Sequence, residues 1–283
     1  CRRQEVDGIA WRQAIRGMEN EQREREQDSL MAKRDVKACM LIIGDEILSG
    51  RTQDANLAYL ARWLNMQAIQ LAEVRVLPDD EAMIVEALNI VRARYDYVFT
   101  TGGIGPTHDD ITVDSVAKAL DLPVIHHPDA VAMLETYYKG ALTERRLRMA
   151  RTPQGASLIP TPNGGAPGVR IDNIFLMAGI PAVMRGMLEG LAGKLEGGRV
   201  VLSRTIGVFA AESAIAQQLE EVQKANADVA IGSYPLMRGG RYGANLVVRS
   251  SEQGRVDAVI DALVAQFRAD GLEVIDGEIT RSE

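Results

Sequence analysis

The chain has 283 residues, 46% of them hydrophobic, and a formal net charge of −7. That composition supports a sizeable core in one large or two smaller domains, and the acidic balance argues against a broad nucleic-acid surface, which needs clustered Lys and Arg. No apolar run is long enough to span a bilayer and the N-terminus is charged, so neither a membrane anchor nor a secretory signal is expected, and the expected compartment is the cytoplasm.

Residues 1–36 form a charged arm. Its ENEQREREQD run carries no apolar stripe and reads as a solvated helix or a disordered extension with no chemical role. Met31 stands just before KRDVKACMLIIG, so a natural start at Met31 or Met18 is expected. Cys39 falls in an apolar strand and reads as a core residue, not as a disulfide partner of Cys1.

From residue 37 to 198 strands and helices alternate. ACMLIIGDEIL reads as a strand running into a turn, NLAYLARWLNM as a helix and IQLAEVRVL as a strand. Pro78-Asp79-Asp80 opens the helix EAMIVEALNIVRARY, YDYVFTTGG is the third strand, and DSVAKAL the next helix. This is the pattern of βαβ units in a three-layer α/β/α domain with a mostly parallel sheet. Residues 124–152 read as an inserted helical segment ending before Pro153. ASLIPTP and GVRIDNIFLMAGIP read as strands joined by the turn Asn163–Gly168, and AVMRGMLEGLAGKLEGG as a helix opened by Pro181. Residues 199–283 follow a β-α-β-β-α-β order, a small ferredoxin-like α+β domain.

Chemistry is concentrated where strands end. TTGGIGPTHDDIT, residues 100–112, lies between a strand and a helix. Glycines there let backbone N–H groups approach an anion, and the following helix adds its positive end. Asp109 and Asp110 would repel phosphate unless a cation lay between, so the combination points to phosphate, Mg²⁺ and carboxylate together. A plain turn with Asp109, Asp110 or Thr112 capping the helix is the alternative. Asp45 and Glu46 share the same sheet edge if the strands are parallel, and Asp54 and Asn56 follow just before a helix that either can cap. NGGAPG and MAGIP add further glycine-rich strand ends. Neither a P-loop nor a nucleophile elbow is present, and the histidines lack zinc-ligand spacing.

GDEILSGRTQDAN, TTGGIGPTHDDIT, ARTPQGASLIP, NGGAPG and MAGIPAVM, in that order, resemble the molybdopterin-binding (MoaB/Mog-like) domain family. GGIGPTHDD is the most specific part and favours its CinA-like branch, with similarity from about Lys37 to about Asp276. The resemblance implies a pocket for a phosphorylated pterin or nucleotide and a closed homo-oligomer. Mog-like members transfer adenylyl from ATP to molybdopterin with Mg²⁺, and two aspartates that matter there fall on Asp54 and Asp110. CinA-like members are linked to metal-dependent hydrolysis of a nucleotide diphosphate such as ADP-ribose. Mog-like members carry Thr at the position of Ile104 and Arg at that of Asp109, which places pyrophosphatase chemistry ahead of adenylyl transfer; CinA relatives often carry Lys where His108 stands and Glu where Val183 stands. Non-catalytic binding of molybdopterin or a nucleotide is the other alternative. On this reading Asp54 and Asp110 are catalytic, and Glu46, Asp109 and Asp110 hold the metal. The ligand lies on Gly44, Thr101, Gly102, Gly103, Gly105, Pro106, Thr107, Gly168, Gly179 and Pro181.

Overall fold

A computed structural model of the chain describes residues 34–162 and 165–280. The arm up to residue 33, Cys1 within it, and Asn163 and Gly164 of the expected turn lie outside the described residues. The described chain divides into two compact units between Arg199 and Val200.

In the first unit, β1 (Lys37–Ile43) is central. It pairs in parallel with β2 (Gln70–Leu77) on one side and β3 (Tyr97–Thr101) on the other. β3 pairs in parallel with β8 (Ile174–Met177), and β7 (Gly168–Ile171) and β6 (Ser157–Ile159) complete a six-stranded, mostly parallel sheet in the order β2-β1-β3-β8-β7-β6. The chain is already part of this unit before β1, for Val36 is buried in its core.

Alternation along β1 builds two cores at once. Ala38, Met40 and Ile42 point to one face, where Leu60 and Leu64 of α2 (Leu57–Met66) and Met184 and Leu188 of α7 (Pro181–Glu189) meet them. Cys39, Leu41 and Ile43 point to the other, against Ile84 and Leu88 of α3 (Glu81–Arg94) and Val113 and Val116 of α4 (Thr112–Ala119). A strand apolar on both faces belongs in the middle of a parallel sheet, and each fully buried side chain of this kind contributes about 1.5–3 kcal/mol. Burial also pushes the Cys39 thiol up to about 12, so it is an inert core group. Asp80 starts α3 by accepting from the Met83 N–H at 2.9 Å, with Glu81 in the first turn and Arg92 and Arg94 in the last.

Three local features differ from the sequence expectation. DEIL is a single helical turn, α1 (Asp45–Leu48), rather than strand or coil. GVRIDNIFLM is a hairpin, β7 and β8 running antiparallel about Asp172, whose φ is +50°. Asn173 pins this turn by donating to the carbonyls of Arg92 and Tyr95. The inserted segment is not helical throughout: α5 (Pro128–Tyr137) and α6 (Glu144–Leu147) are closed off by β4 (Val124–His126) pairing antiparallel with β5 (Arg151–Pro153).

The second unit contains β9 (Leu202–Val208), α8 (Glu212–Ala225), β10 (Ala230–Arg238), β11 (Arg241–Ser250), α9 (Gln253–Ala269) and β12 (Val274–Asp276). Its antiparallel sheet has the order β10-β11-β9-β12. Gly239 and Gly240, with φ of +58° and +75°, make the two-residue hairpin turn that needs positive φ twice. Ile215, Val256, Ile260 and Phe267 fill the core between helices and sheet. Among the described residues no helix is long and apolar enough to cross a membrane.

Candidate active site

The parallel strands end together. Ile42 of β1 is in register with Thr101 of β3, and Thr101 with Met177 of β8. Ile43 is in register with Leu77, the last residue of β2. The loops after all four strands therefore leave from one edge, the position at which open α/β sheets bind ligands. Gly44, Glu46, Gly102–Asp110, Gly179 and Pro181 are all carried by these loops or by the helices they enter. Gly168 opens β7, which runs the other way, and so stands near the same edge, but it is buried.

The glycine loop is tightly pinned. The Gly102 N–H donates to the Met177 carbonyl at 3.1 Å and the Thr112 N–H to the Gly103 carbonyl at 3.0 Å. The Thr112 hydroxyl donates to the Gly102 carbonyl at 2.9 Å. Gly102 and Gly103 have φ of +96° and +67°. A Cβ would lie 2.2 Å from the Ile43 carbonyl oxygen at Gly102, and 2.1 Å from the Thr112 hydroxyl at Gly103. These two glycines are thus required by close approach to β1 and α4, apart from any ligand. The amides of Gly103 and Ile104 meet no acceptor among the described residues.

Asp110 braces the rest of the loop. Its Oδ1 accepts from the Gly105 N–H at 2.7 Å; its Oδ2 accepts from the Thr107 N–H at 2.7 Å and from the Thr107 hydroxyl. Neither Asp109 nor Asp110 caps α4, whose N-cap is Ile111 without a side-chain bond. Pro106, Thr107, His108 and Asp109 form the exposed crown of the loop. Asp109 is held below the ordinary carboxylate range first by the Thr107 hydroxyl and then by its own amide. That hydroxyl has one proton for two carboxylates, and its close contact goes to Asp110.

On the far side of β1 lies an acid corner that contains a residue whose sequence context marks it only as a helix opener. The Asp45 N–H donates to Asp79 Oδ2 at 3.1 Å, and the Asp79 N–H returns to Asp45 Oδ1 at 3.4 Å. Burial pushes the Asp79 carboxyl above its usual range, and the charges of Asp45, Glu46 and Asp109 push it further; the bond from the Asp45 amide opposes them. The signal available in sequence was its place one residue after Pro78 at the end of a strand parallel to β1. Among the described residues no three His, Cys, Asp or Glu side chains form a ready-made metal cluster.

Asp54 accepts the Leu57 N–H at 2.8 Å and so secures the first turn of α2. Buried Asn56 donates to the Gly179 carbonyl at 2.8 Å, tying the start of α2 to the loop before α7. A Cβ on Gly179 would lie 3.3 Å from Gly102 Cα, so that loop abuts the glycine loop. Thr101 is buried beneath them.

The family model described as "Probable molybdopterin binding domain" matches residues 39–196, more than half of the chain. A protein of Aeropyrum pernix is 32% identical over 266 residues, covering 87% of this chain and 97% of its own. The chain belongs to the molybdopterin-binding domain family. A CinA-like protein of Desulfosudis oleivorans is 35% identical over 183 residues, covering 60% of this chain and 44% of that one. The crystal structure of the protein CinA from Thermoplasma acidophilum, 32% identical, superposes with a TM-score of 0.53 over 56% of this chain and 98% of its own, which places the chain in the family's CinA-like branch. The second unit matches a separate model, "FAD synthase, middle domain", over residues 200–275.

Proposed function

We propose that this CinA-like chain hydrolyses a nucleotide diphosphate of the ADP-ribose kind with a divalent cation. The observation that carries the reading is the pairing of opposites on one sheet edge. The Gly103 and Ile104 amides have no acceptor among the described residues, while in the acid corner burial, and then the charges of Asp45, Glu46 and Asp109, raise the Asp79 carboxyl. An anion drawn to those amides meets carboxylates unless a cation intervenes.

The donor set fits such a cation, because every available group is a carboxylate oxygen, and Mg²⁺ is commonly held by one or two carboxylates together with substrate phosphates. Asp79, Glu46 and Asp109 are the candidates, of which one or two would hold it together with the substrate phosphates. When bound, it neutralises the diphosphate and acidifies a water. The chain's own part is preorganisation: Asp110 keeps the loop closed, and Thr112 and Met177 fix the direction of the two free amides. Asp54 secures the start of α2 at the same edge and stands beside Asn56. Water adds to one phosphorus, the bridging P–O bond breaks, and the two monophosphates leave.

Incubation with ADP-ribose and Mg²⁺, Mn²⁺ or Co²⁺ in turn tests this. AMP and ribose 5-phosphate are expected, and the absence of product with every cation overturns the reading. A second reading, retention of the nucleotide or of molybdopterin without turnover, draws on the Gly103 and Ile104 amides alone, which can hold an anion without any chemistry following. Recovery of intact ligand after long incubation would establish it.

A further inference from the structure

The carboxyl edge of the sheet contains a buried acceptor with nothing to accept. Asn56 is 4% exposed, and its Oδ1 has no hydrogen-bond partner among the described residues. Its orientation is fixed, because the Gly179 carbonyl requires a donor and takes Nδ2 at 2.8 Å. Two nearby amides are taken, Leu57 N–H by Asp54 and Leu60 N–H by the Asn56 backbone carbonyl, and the Asn56 side chain caps none of the first turn of α2. Buried side-chain acceptors are nearly always satisfied, and one that is not points to a missing partner.

Resting on the nucleotide-diphosphate reading, we infer that Asn56 is a specificity residue whose Oδ1 takes a hydroxyl or amine donor from the nucleoside part of the ligand. The internal diphosphate of ADP-ribose cannot fill this position, since both its phosphates are fully ionised at neutral pH and their oxygens only accept. The location suits the other end of the ligand: Asn56 touches Gly179, and Gly179 abuts Gly102 of the phosphate-side loop. The loop to which Asn56 is bonded borders solvent, for Gly179 is exposed and Ile180 is 64% exposed. The binding energy would then be directional, because a buried polar group left unpaired rejects ligands that lack its complement.

The experiment compares ADP-ribose with inorganic pyrophosphate, both with a non-hydrolysable methylene bridge in place of the bridging oxygen, each titrated in Mg²⁺ into the wild-type chain and Asn56→Leu. Pyrophosphate offers the glycine loop the same diphosphate but has no nucleoside donor. We expect the Kd for ADP-ribose to rise about tenfold in Asn56→Leu, with pyrophosphate binding unchanged. Equal losses for both ligands would show that Asn56 only clasps the loops together, and unchanged ADP-ribose binding would show that it meets no ligand; either overturns the inference. Should Asn56→Leu not fold, Asn56→Ser is titrated with the same two ligands, and the same outcomes support or overturn the inference. If the wild-type chain binds pyrophosphate but not ADP-ribose, the nucleotide reading fails, and this inference with it.

Discussion

The glycine loop and the acid corner stand on the same sheet edge and are held in opposite ways. In the loop, the Asp110 carboxylate receives two amides and a hydroxyl, and the glycines fit against β1 and α4 with no room for a Cβ. In the corner, Asp45 and Asp79 exchange one amide bond each, under the added charge of Glu46 and Asp109. One region is closely hydrogen-bonded except at the Gly103 and Ile104 amides, the other acidic and short of positive charge. The contrast teaches that the loop supplies shape and the corner supplies a demand, and that demand is the part a cation would meet.

The largest effect should come from breaking the loop. Gly102→Ala places a methyl on the Ile43 carbonyl at a positive φ, and a loss of about 3 kcal/mol in urea unfolding is expected. Next comes Asp110→Ala, which strips the Gly105 and Thr107 amides of their acceptor. A loss of about 1–2 kcal/mol is expected, together with loss of ADP-ribose turnover. If Asp110→Ala leaves stability intact while abolishing activity, the carboxylate acts on substrate directly rather than as a brace, and the contrast between the two regions narrows.

The corner should respond with the opposite sign. A carboxyl whose folded pKa is raised binds its proton more readily when folded, so its ionised form costs stability above that pKa, and the cost fades as pH falls below the unfolded value. Asp79→Asn keeps an acceptor for the Asp45 amide and removes the charge. It should therefore stabilise the chain at about pH 7 by up to roughly 1 kcal/mol, with the gain gone near pH 3. Thermal melts across that range check the sign, and a destabilised variant at neutral pH would mean that the corner is not crowded. The same variant should need more Mg²⁺ for half-maximal turnover.

Much of this arrangement was legible in the sequence, and what escaped it has identifiable physical reasons. The apolar runs of β1 and β3 and the 3.6-residue spacing of α2 and α4 marked a three-layer α/β domain because both faces of the sheet must be covered. The β7–β8 hairpin was missed because its turn, Asp172-Asn173, contains no glycine, and Asp172 adopts positive φ itself. The β4–β5 pair has three residues in each strand, too few for a period to register. In the site, excess glycine reads as room for a ligand. The structure shows that Gly102 and Gly103 also answer to contacts with Ile43 and Thr112, partners distant in sequence that no local pattern reveals. Asp79 and Asn56 were hidden for the same reason, since each looks like an ordinary helix opener until the fold brings Asp45 and Gly179 to it.

The smallest effect belongs to the crown. His108 projects into solvent with its side chain 97% exposed, and its Nδ1 lies 3.9 Å from the Asp109 carboxylate. An ion pair of that length in water holds only while the imidazole is protonated, and it is screened by salt even then. His108→Ala should leave urea stability within about 0.5 kcal/mol of wild type, and leave the amides of Gly103 and Ile104 where Thr112 and Met177 hold them. Turnover of ADP-ribose should then change by less than the loss expected for Asp110→Ala. A large fall in kcat at unchanged stability would give the crown a part in the chemistry, and the division of the site into a rigid loop and a charge-hungry corner would need His108 as a third member.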